Sequence, residues 1–427
     1  MQKDTDHRGN ETVFVNNFGC VSDYSEERKR IIHLVRQLRE LKQGKITNWE
    51  DAAEWHIKYS NLNGESVLAL TITLSPAGCE WARKGGCTMC GEFEGADKRN
   101  TLVENPQFHI AQFASAIGNP KIWEVIRKEG RPVTWLRINQ EGNYTNPHEM
   151  NYRAQETILR LAMRINGVKR ITIESRPQYL NKATVKSLSR LFEGSAVELE
   201  VGMGIEAENE VVRNVCINKQ GNKQQFTNSA KLLMEYNIQP LAYVLLKPPF
   251  LTEREAIEEA VVTAHFAVNI GFTRISLEPM SIHRYSLVEA LANTGDYKVP
   301  WLWSAVEVTK RCSDIAKLFG IGGIGYYPIP SIYAHNRCCD REENCNCKCS
   351  EAIIEYGKSR DVRVFDVLAC NCKSIWEREC GCEGLSLKRR IQDQLTRVES
   401  LIPSYYSEER EGNMVFRNQR ILASGSQ

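Results

Sequence analysis

Six short runs of β-branched and apolar residues alternate along the chain with segments of helical length. Amphipathic segments occupy 148–166, 182–193, 225–236 and 253–270. Strands that alternate with helices form parallel βαβ units, so the pattern predicts an α/β fold, a partial (β/α)6 barrel. The six runs predicted as strands are "SVLALTITLS" (66–75), "VTWLRIN" (133–139), "RITIES" (170–175), "VELEVGMGI" (197–205), "LAYVLL" (241–246) and "TRISLEP" (273–279).

The flanking segments divide the chain into three parts. Residues 25–43 have apolar positions at helical spacing, which predicts a helical lead-in over 1–60. The barrel is expected over 61–330. Beyond it the composition becomes rich in cysteine, which predicts a metal-binding region over 331–427 that ends in a helical tail.

The ends of the predicted strands carry the residues expected to form a site. In (β/α) barrels the chemistry lies at the carboxyl ends of the strands, which meet at one edge. Polar, glycine and cysteine residues lie at or just past five of these ends, and they are Cys79, Asn139, Glu174, Gly202 and Lys247.

Three cysteines, Cys79, Cys87 and Cys90, follow the first predicted strand with C-x7-C-x2-C spacing. A [4Fe–4S] cluster held by three thiolates leaves its fourth iron open, as binding and reductive cleavage of S-adenosylmethionine (SAM) require. A closed zinc site needs a fourth ligand, and no Cys or His follows closely. The spacing favours the cluster, with a zinc knuckle or three core thiols as alternatives.

Most of the remaining cysteines lie in the C-terminal part of the chain. In a reducing compartment such clustering indicates metal ligation before disulfides. Cys20, Cys216 and Cys312 stand alone and are expected to be buried small hydrophobes. The nine clustered C-terminal cysteines, of fifteen in the chain, are Cys338, Cys339, Cys345, Cys347, Cys349, Cys370, Cys372, Cys380 and Cys382.

Composition narrows the class of protein without naming a partner. The net charge of +2 neither indicates nor excludes a nucleic-acid partner, because a basic face can lie within a neutral total. No apolar run is long enough for a membrane span, and the polar N-terminus lacks the apolar core of a signal peptide. The expected location is the cytoplasm, with no membrane partner.

Several separated motifs resemble one family. The stretches "GCEWARKGGCTMCGEF", "ITIESRPQYL", "ELEVGMGIEAENEVVRNVCINKQG", "LAYVLLKPPFLTEREAI" and "YKVPWLWS" occur in the order found in the radical-SAM subunit of archaeosine synthase and its bacterial relatives. The resemblance covers about residues 30–385 and extends more remotely to the radical-SAM domain of the Elongator catalytic subunit. It implies that the three cysteines hold the cluster.

The same resemblance implies roles for other residues. Glu174, Ser175 and Arg176 would contact the ribose or carboxylate of SAM. Gly202, Gly204 and Ile205 would line the adenine, with Glu206 nearby and Lys247 as a second candidate for a catalytic role. One segment departs from the family, because "RINQEGNYTNPHE" replaces a Gly/Ser-rich turn that meets the SAM amino group. The residues that would take over this contact are Asn139, Glu141, Gly142 and Asn143, with Gln140 as an alternative.

Relatives also carry "HNC…C" and "C-x-C-K…W" near the C-terminus, which "HNRC" and "ACNCKSIW" match here. The resemblance implies a structural zinc site made by Cys338, Cys349, Cys370 and Cys372, or a second iron–sulfur cluster. Cys380 and Cys382 could complete a further site.

Three functions remain open from the sequence. The first is a radical-SAM enzyme that cleaves a C–N bond of a lysine-bearing deazaguanine in tRNA, with a flavodoxin or ferredoxin as electron donor and a partner subunit. The second is a radical-SAM enzyme that modifies a small molecule or peptide. The third is a non-catalytic zinc-binding adaptor. The altered segment at "QEGNY" puts the identity of the substrate in question more than it does the SAM chemistry.

Overall fold

The computed structural model describes residues 16–41, 53–74, 79–91, 105–140, 142–322, 332–335, 345–382 and 384–410, with only the backbone at 332–335, 345–347 and 403–410. The strands are β1 Glu54–Leu62, β2 Glu65–Leu74, β3 Val133–Gln140, β4 Arg170–Glu174, β5 Glu198–Glu206, β6 Gln239–Leu246, β7 Arg274–Pro279, β8 Ser281–His283, β9 Phe319–Ile321 and β10 Ile332–His335. The helices are α1 Ser25–Glu40, α2 Glu80–Arg83, α3 Gln107–Ile117, α4 Pro120–Glu129, α5 Tyr152–Ala162, α6 Lys182–Phe192, α7 Lys223–Glu235, α8 Glu253–Asn269, α9 Leu287–Asn293, α10 Leu302–Arg311, α11 Cys345–Ser359, α12 Cys372–Gly381 and α13 Leu387–Arg410.

The main sheet has the order β1-β2-β3-β4-β5-β6-β7-β9. Strands β2 to β7 are parallel neighbours and match the six predicted runs, so the predicted α/β partial barrel is confirmed. β9 extends the parallel order beside β7, and a small antiparallel pair joins β8 to β10.

The sheet is strongly curled. β3 and β7 are four strands apart, which in a flat sheet would separate them by about 19 Å. The guanidinium of Arg274 on β7 nevertheless lies 4.0 Å from the ring centroid of Trp135 on β3. The inner faces of these strands therefore enclose a lumen, and the sheet forms a half-barrel.

The two faces of the sheet differ because side chains alternate along each strand. The outer face packs in the main core under the flanking helices. The inner face is largely polar and charged, for example Arg137, Glu174, Tyr243 and Glu278, each partly exposed. Outer-face core residues include Leu136, Ile138, Ile171, Ile173, Val201, Met203, Ala242, Val244, Ile275 and Leu277.

β1 is a strand where the sequence predicted part of a helical lead-in. It pairs antiparallel with β2 through the two-residue turn Asn63-Gly64, both with positive φ (54° and 92°). Asn-Gly is the sequence preferred for such hairpin turns, so "NLNGES" carried the signal. The lead-in is helical at α1, as predicted. β1 spans residue 60, where the sequence predicted the end of the lead-in. The division into three parts stays a prediction.

A second core joins the two ends of the described chain. Ile31, Leu34 and Leu38 of α1 are buried together with Ile391 and Leu395 of α13, beside α9 and a π-helical turn at Val212–Cys216. Among the described residues, no helix combines the length and apolar character that a membrane crossing would need.

Candidate cofactor site at the mouth of the half-barrel

The cysteine loop, residues 79–91, carries Cys79, Cys87 and Cys90, all half-buried. Cys79 precedes the short helix α2, and its carbonyl accepts a hydrogen bond from Ala82 N (2.9 Å). The carbonyl of Cys87 accepts one from Cys90 N (3.3 Å). Burial raises the pKa of the Cys79 thiol, and the negative charges of Glu149 and Cys87 raise it further.

Helix α1 holds the cysteine loop from one side. The Arg39 guanidinium donates to the carbonyls of Ala82 (2.8 Å) and Cys87 (3.2 Å). Gly86 has φ of +74°, and a Cβ there would collide with Arg39, so only glycine fits. The three cysteines are therefore held on a loop fixed at its backbone.

The segment after the π-helical turn holds the other side of the loop. The Thr88 hydroxyl donates to Cys216 O (2.8 Å), and Thr88 N donates to Ile217 O (2.9 Å). Asn218 Nδ2 donates to Gly86 O (2.7 Å), and Trp81 Nε1 donates to Asn218 O (2.8 Å). The loop is thus packed on the chain that follows β5.

Glu149 anchors the start of the loop and was not among the predicted site residues. Its carboxylate is fully buried and accepts hydrogen bonds from Glu80 N (2.9 Å), from Asn146 Nδ2 (2.8 Å), and from the backbone and side chain of Asn143. Burial raises the pKa of Glu149, which these donors partly oppose. Its position nine residues after β3 gives no sequence signal, because the backbone N–H of Glu80 that it binds comes from a distant segment.

The segment that departs from the family folds around Glu149. Asn143 is buried and its amide is bonded to Glu149, and Gly142 N donates to Gln140 O (2.6 Å). Asn139 lies on the inner face of β3, paired with Thr73. Glu141 lies outside the described residues. The contact of these four residues with SAM stays a prediction.

The end of β4 brings three predicted residues toward the loop. Glu174 Oε1 accepts from the Tyr243 hydroxyl (2.8 Å), and burial together with Glu174 raises the pKa of Tyr243. Ser175 bonds the Thr145 hydroxyl. The Arg176 guanidinium bonds the carbonyl of Lys219 and lies 5.6 Å from the Trp81 ring.

Glycines on β5 make room for this arrangement. Gly202 is the register partner of Glu174, and a Cβ on it would lie 2.6 Å from the Tyr243 ring. A Cβ on Gly204 would collide with Glu206 and Lys219. Ile205, predicted to line the adenine, has its side chain on the outer face in the main core.

Glu206 and Lys219 form an ion pair (2.7 Å) next to the cysteine loop. Burial lowers the pKa of Lys219, but the negative charges of Glu206 and Cys87 raise it by more, so the net pKa is raised. Lys219 therefore remains a cation beside Cys87. The sequence motif "NKQG" contained this lysine, but no pattern marked its role.

The three thiols of the cysteine loop are potential ligands of a metal group. Among the described residues, no three His, Cys, Asp or Glu side chains are close enough to share one ion. A zinc ion would draw its thiolates to within about 4 Å of one another, because each Zn–S bond is about 2.3 Å. In a [4Fe–4S] cluster each thiolate binds a different iron, and the two cations Lys219 and Arg176 lie beside the loop. Three thiolates are the donor set that leaves one iron of a [4Fe–4S] cluster open.

Lys247 follows β6 with φ of +67° and is almost fully buried. Its ammonium forms an ion pair with Glu253 at the start of α8, and Glu379 of α12 lies at 4.0 Å. Its contacts are thus with α8 and the C-terminal region. The catalytic role predicted for Lys247 stays a prediction.

Part of the cysteine-rich end is described. Cys370 Sγ and Cys372 Sγ lie 2.6 Å apart, and Trp303 Nε1 donates to Cys370 Sγ (3.2 Å). Cys349 and Cys372 are buried. Cys338 lies outside the described residues, so the proposed four-cysteine set stays a prediction.

The three isolated cysteines behave differently from one another. Cys216 and Cys312 are fully buried, as expected. The expectation is wrong for Cys20, which is exposed. Cys20 precedes a 3-10 helix at Val21–Tyr24, and its backbone N–H donates to Asp23 Oδ2 (2.9 Å), so the position serves a helix start and not a core.

Comparison with known proteins places the chain among archaeal relatives. The uncharacterized protein MJ0550 of Methanocaldococcus jannaschii is 31% identical over 327 residues, 75% of this chain and 84% of that protein. Archaeosine synthase subunit beta of Methanosarcina acetivorans is 26% identical over 348 residues, 81% of this chain and 94% of that protein. The subunit beta of Thermococcus kodakarensis is 27% identical over 322 residues, 74% of this chain and 93% of that protein.

No family model matches the chain. Among solved structures, Methanocaldococcus infernus Elp3 with an N-terminal deletion is similar with a TM-score of 0.42 and 15% identity, over 58% of each chain. SuiB of Streptococcus suis bound to S-adenosylmethionine has a TM-score of 0.39 and 15% identity, over 61% of this chain and 52% of that one. On the sequence relatives, the chain belongs to the same family as MJ0550, and it is similar to archaeosine synthase subunit beta.

Proposed function

We propose that this protein is a radical-SAM enzyme whose substrate is a lysine-bearing deazaguanine in tRNA, cleaved at a C–N bond. The observation that carries the proposal is the cysteine loop itself. Its three half-buried thiols are fixed by α1, by Glu149 and by the chain after β5, at the edge where the parallel strands end. This is the edge where (β/α) barrels carry their chemistry.

Cys79, Cys87 and Cys90 would hold a [4Fe–4S] cluster. When bound, the cluster and SAM supply a 5′-deoxyadenosyl radical that abstracts hydrogen from the substrate. The protein supplies charge and position. Lys219 and Arg176 lie beside the thiols, where two cations offset the negative charge of thiolate ligands in a poorly hydrated place.

Glu174 would orient SAM. Its Oε1 already accepts from Tyr243, which fixes the carboxylate at the end of β4. A carboxylate held in this way can accept hydrogen bonds from the two hydroxyls of a ribose, and bonds to a charged acceptor are the stronger kind. The Tyr243 ring lies so close to Gly202 that a side chain at position 202 would collide with it.

The substrate is inferred from the relatives called archaeosine synthase subunit beta, and the word "subunit" supports a partner chain. The folding of residues 142–150 around Glu149 favours a second candidate, a radical-SAM enzyme acting on a small molecule or peptide. The Gly/Ser-rich turn of the family is absent there, so the mouth differs where the substrate would enter. A reduced flavodoxin or ferredoxin is the proposed electron donor for either substrate.

The test is reductive SAM cleavage by protein reconstituted with iron and sulfide without oxygen. We expect wild type and Cys20→Ser, which changes an exposed thiol outside the loop, to form 5′-deoxyadenosine. Replacement of Cys79, Cys87 and Cys90 by Ala should abolish it while the protein remains folded and keeps about one C-terminal metal ion per chain. Deoxyadenosine from the triple variant would refute the cluster assignment, and only zinc in the wild type would favour the adaptor.

The same assay separates the two substrates. With tRNA that carries the lysine-modified base, deoxyadenosine should form faster than with unmodified tRNA or with no RNA. Binding should weaken steeply as salt rises, because phosphate contacts release counterions. No response to modified tRNA, with deoxyadenosine still formed, would exclude tRNA and favour the small-molecule substrate.

A further inference from the structure

The floor of the lumen is a closed and charge-balanced layer. The Arg137 and Arg274 guanidiniums each lie 4.0 Å from the ring centroid of Trp135, so they stack on its opposite faces. Glu200 is fully buried and pairs with Arg274 (3.2 Å) and Arg170 (3.5 Å). Arg170 also pairs with Glu198 (2.7 Å), so two carboxylates neutralise Arg274 and Arg170.

Two cations of the lumen have no carboxylate partner of this kind among the described residues. Arg137 donates one hydrogen bond, to the Ser60 hydroxyl (3.3 Å), and otherwise contacts Trp135. Lys58, on the inner face of β1, forms no ion pair with any residue that the structure describes. Both side chains are partly exposed to the lumen. Two unneutralised cations in one enclosed space are unfavourable unless an anion joins them.

The electrostatics agree with this geometry. Burial lowers the pKa of Lys58 to about 8, and the charges of Arg137 and Arg274 lower it further, while Glu278 opposes the change. Burial and the charges of Lys58 and Arg137 also lower the pKa of His56 to about 4, so His56 adds no charge. The register partner of Arg137 on β2 is Thr71, whose buried hydroxyl has no hydrogen-bond partner among the described residues.

A carboxylate lies opposite these cations. Glu278 of β7 accepts one hydrogen bond, from the Ser276 hydroxyl (2.7 Å), and forms no ion pair with any described residue. Gly322 follows β9, and a Cβ there would collide with the Glu278 carboxylate, so the absent side chain leaves room for it. The lumen thus presents two cations and one carboxylate, whose pKa is raised by burial and lowered by the charges of Lys58 and Arg137.

We propose that the lumen is a subsite for the zwitterionic head of an α-amino acid, with Lys58 and Arg137 binding its carboxylate and Glu278 facing its ammonium. The Thr71 hydroxyl is available as a further donor to the carboxylate. This inference rests on the proposed function and specifies its substrate. A lysine joined to a base through its side-chain nitrogen keeps both α-groups free, and these are the charges that the subsite complements.

The experiment measures binding of two probes, L-lysine and L-lysinamide, to the reconstituted protein by calorimetry and ligand-observed NMR. The probes differ only in the charged carboxylate. We expect wild type to bind L-lysine at least tenfold more tightly than L-lysinamide. Lys58→Met and Arg137→Gln should each remove most of this preference, and Glu278→Gln should weaken both probes. Lys128→Met, which removes an exposed lysine of α4, should behave as wild type.

Equal affinity of the wild type for the two probes, or an unchanged preference in Lys58→Met and Arg137→Gln, would overturn the subsite. The subsite would also be overturned if these variants lost affinity for SAM but kept their affinity for L-lysine, because the two cations would then bind the cofactor. The proposed function is judged separately by 5′-deoxyadenosine formed without probe. Lys128→Met should retain that activity, and a wild type that lacks it refutes the enzyme whether or not L-lysine binds.

Discussion

Glu149 is a single buried carboxylate that receives hydrogen bonds from three separate positions of the chain, Glu80, Asn143 and Asn146. Each bond to a charged acceptor is stronger than a neutral one. The residue determines where the cysteine loop begins, because the backbone N–H of Glu80 directly follows Cys79. One side chain thus couples the segment after β3 to the proposed cluster ligands.

We predict that Glu149→Gln lowers the free energy of unfolding by about 1–3 kcal/mol, because the amide NH2 would face N–H donors in a buried site. The variant should also retain less cluster after reconstitution, since the loop start is loosened. Denaturant unfolding and iron content measure the two effects. Glu156→Gln, which changes an exposed carboxylate paired with Arg160, is the control. Wild-type values for both quantities in Glu149→Gln would contradict the anchoring role.

Much of the element order could be predicted, because six strands with alternating or continuous apolar runs are long enough to be recognised. β9 has three residues within a glycine-rich stretch, so its pairing with β7 depends on tertiary contacts. β1 was missed although its Asn-Gly turn is a local signal. In the site, the cysteines can be recognised by residue type. Glu149 and Lys219 cannot, because Glu149 binds Glu80 from a distant segment and Lys219 lies near Cys87 only in the folded chain.

At the scale of elements, helix α8 supports the chain that carries the π-helical turn. Glu259 of α8 accepts from Asn209 N (2.7 Å), and Thr263 accepts from Glu208 N (2.8 Å). These two bonds cap the segment after β5, which in turn holds the cysteine loop. Burial raises the pKa of Glu259 to about 7. The contact between these elements should therefore depend on pH.

We predict that Glu259 makes the protein less stable as pH rises from 4.5 to 8. Its folded-state pKa lies above its unfolded value, so its contribution is full below pH 4.5 and is lost as pH rises through 7. The difference amounts to about 3 kcal/mol. Glu259→Gln should remove this part of the pH dependence in denaturant unfolding. Because burial also raises the pKa of Glu289 to about 7, some dependence should remain.

The control is Glu258→Gln, which removes the neighbouring carboxylate of the same helix, one paired with Arg311 (2.7 Å). An identical pH profile in wild type and Glu259→Gln would show that the residue ionises freely in the folded protein.

At the scale of the whole molecule, the C-terminal region is joined to the half-barrel by a buried polar network. Glu253 accepts from Trp301 N (3.0 Å) and from the Ser304 hydroxyl (2.6 Å), and Ser304 in turn accepts from Trp376 Nε1 (2.8 Å). Trp301 Nε1 donates to Glu379 (2.9 Å). Lys247, at the end of β6, supplies the cation between Glu253 of α8 and Glu379 of α12. Helix α10 joins this network through Ser304, which donates to Glu253.

This position makes a structural role for Lys247 testable against the catalytic role predicted from sequence. We predict that Lys247→Met lowers the free energy of unfolding by about 3–5 kcal/mol, because removing one partner leaves the buried Glu253 carboxylate uncompensated. The double variant Lys247→Met/Glu253→Gln should be more stable than the single one, since the uncompensated charge is then gone. Denaturant unfolding measures both, and 5′-deoxyadenosine formation is followed in parallel below the unfolding midpoint. A single variant with wild-type stability that forms no deoxyadenosine would assign Lys247 to catalysis instead.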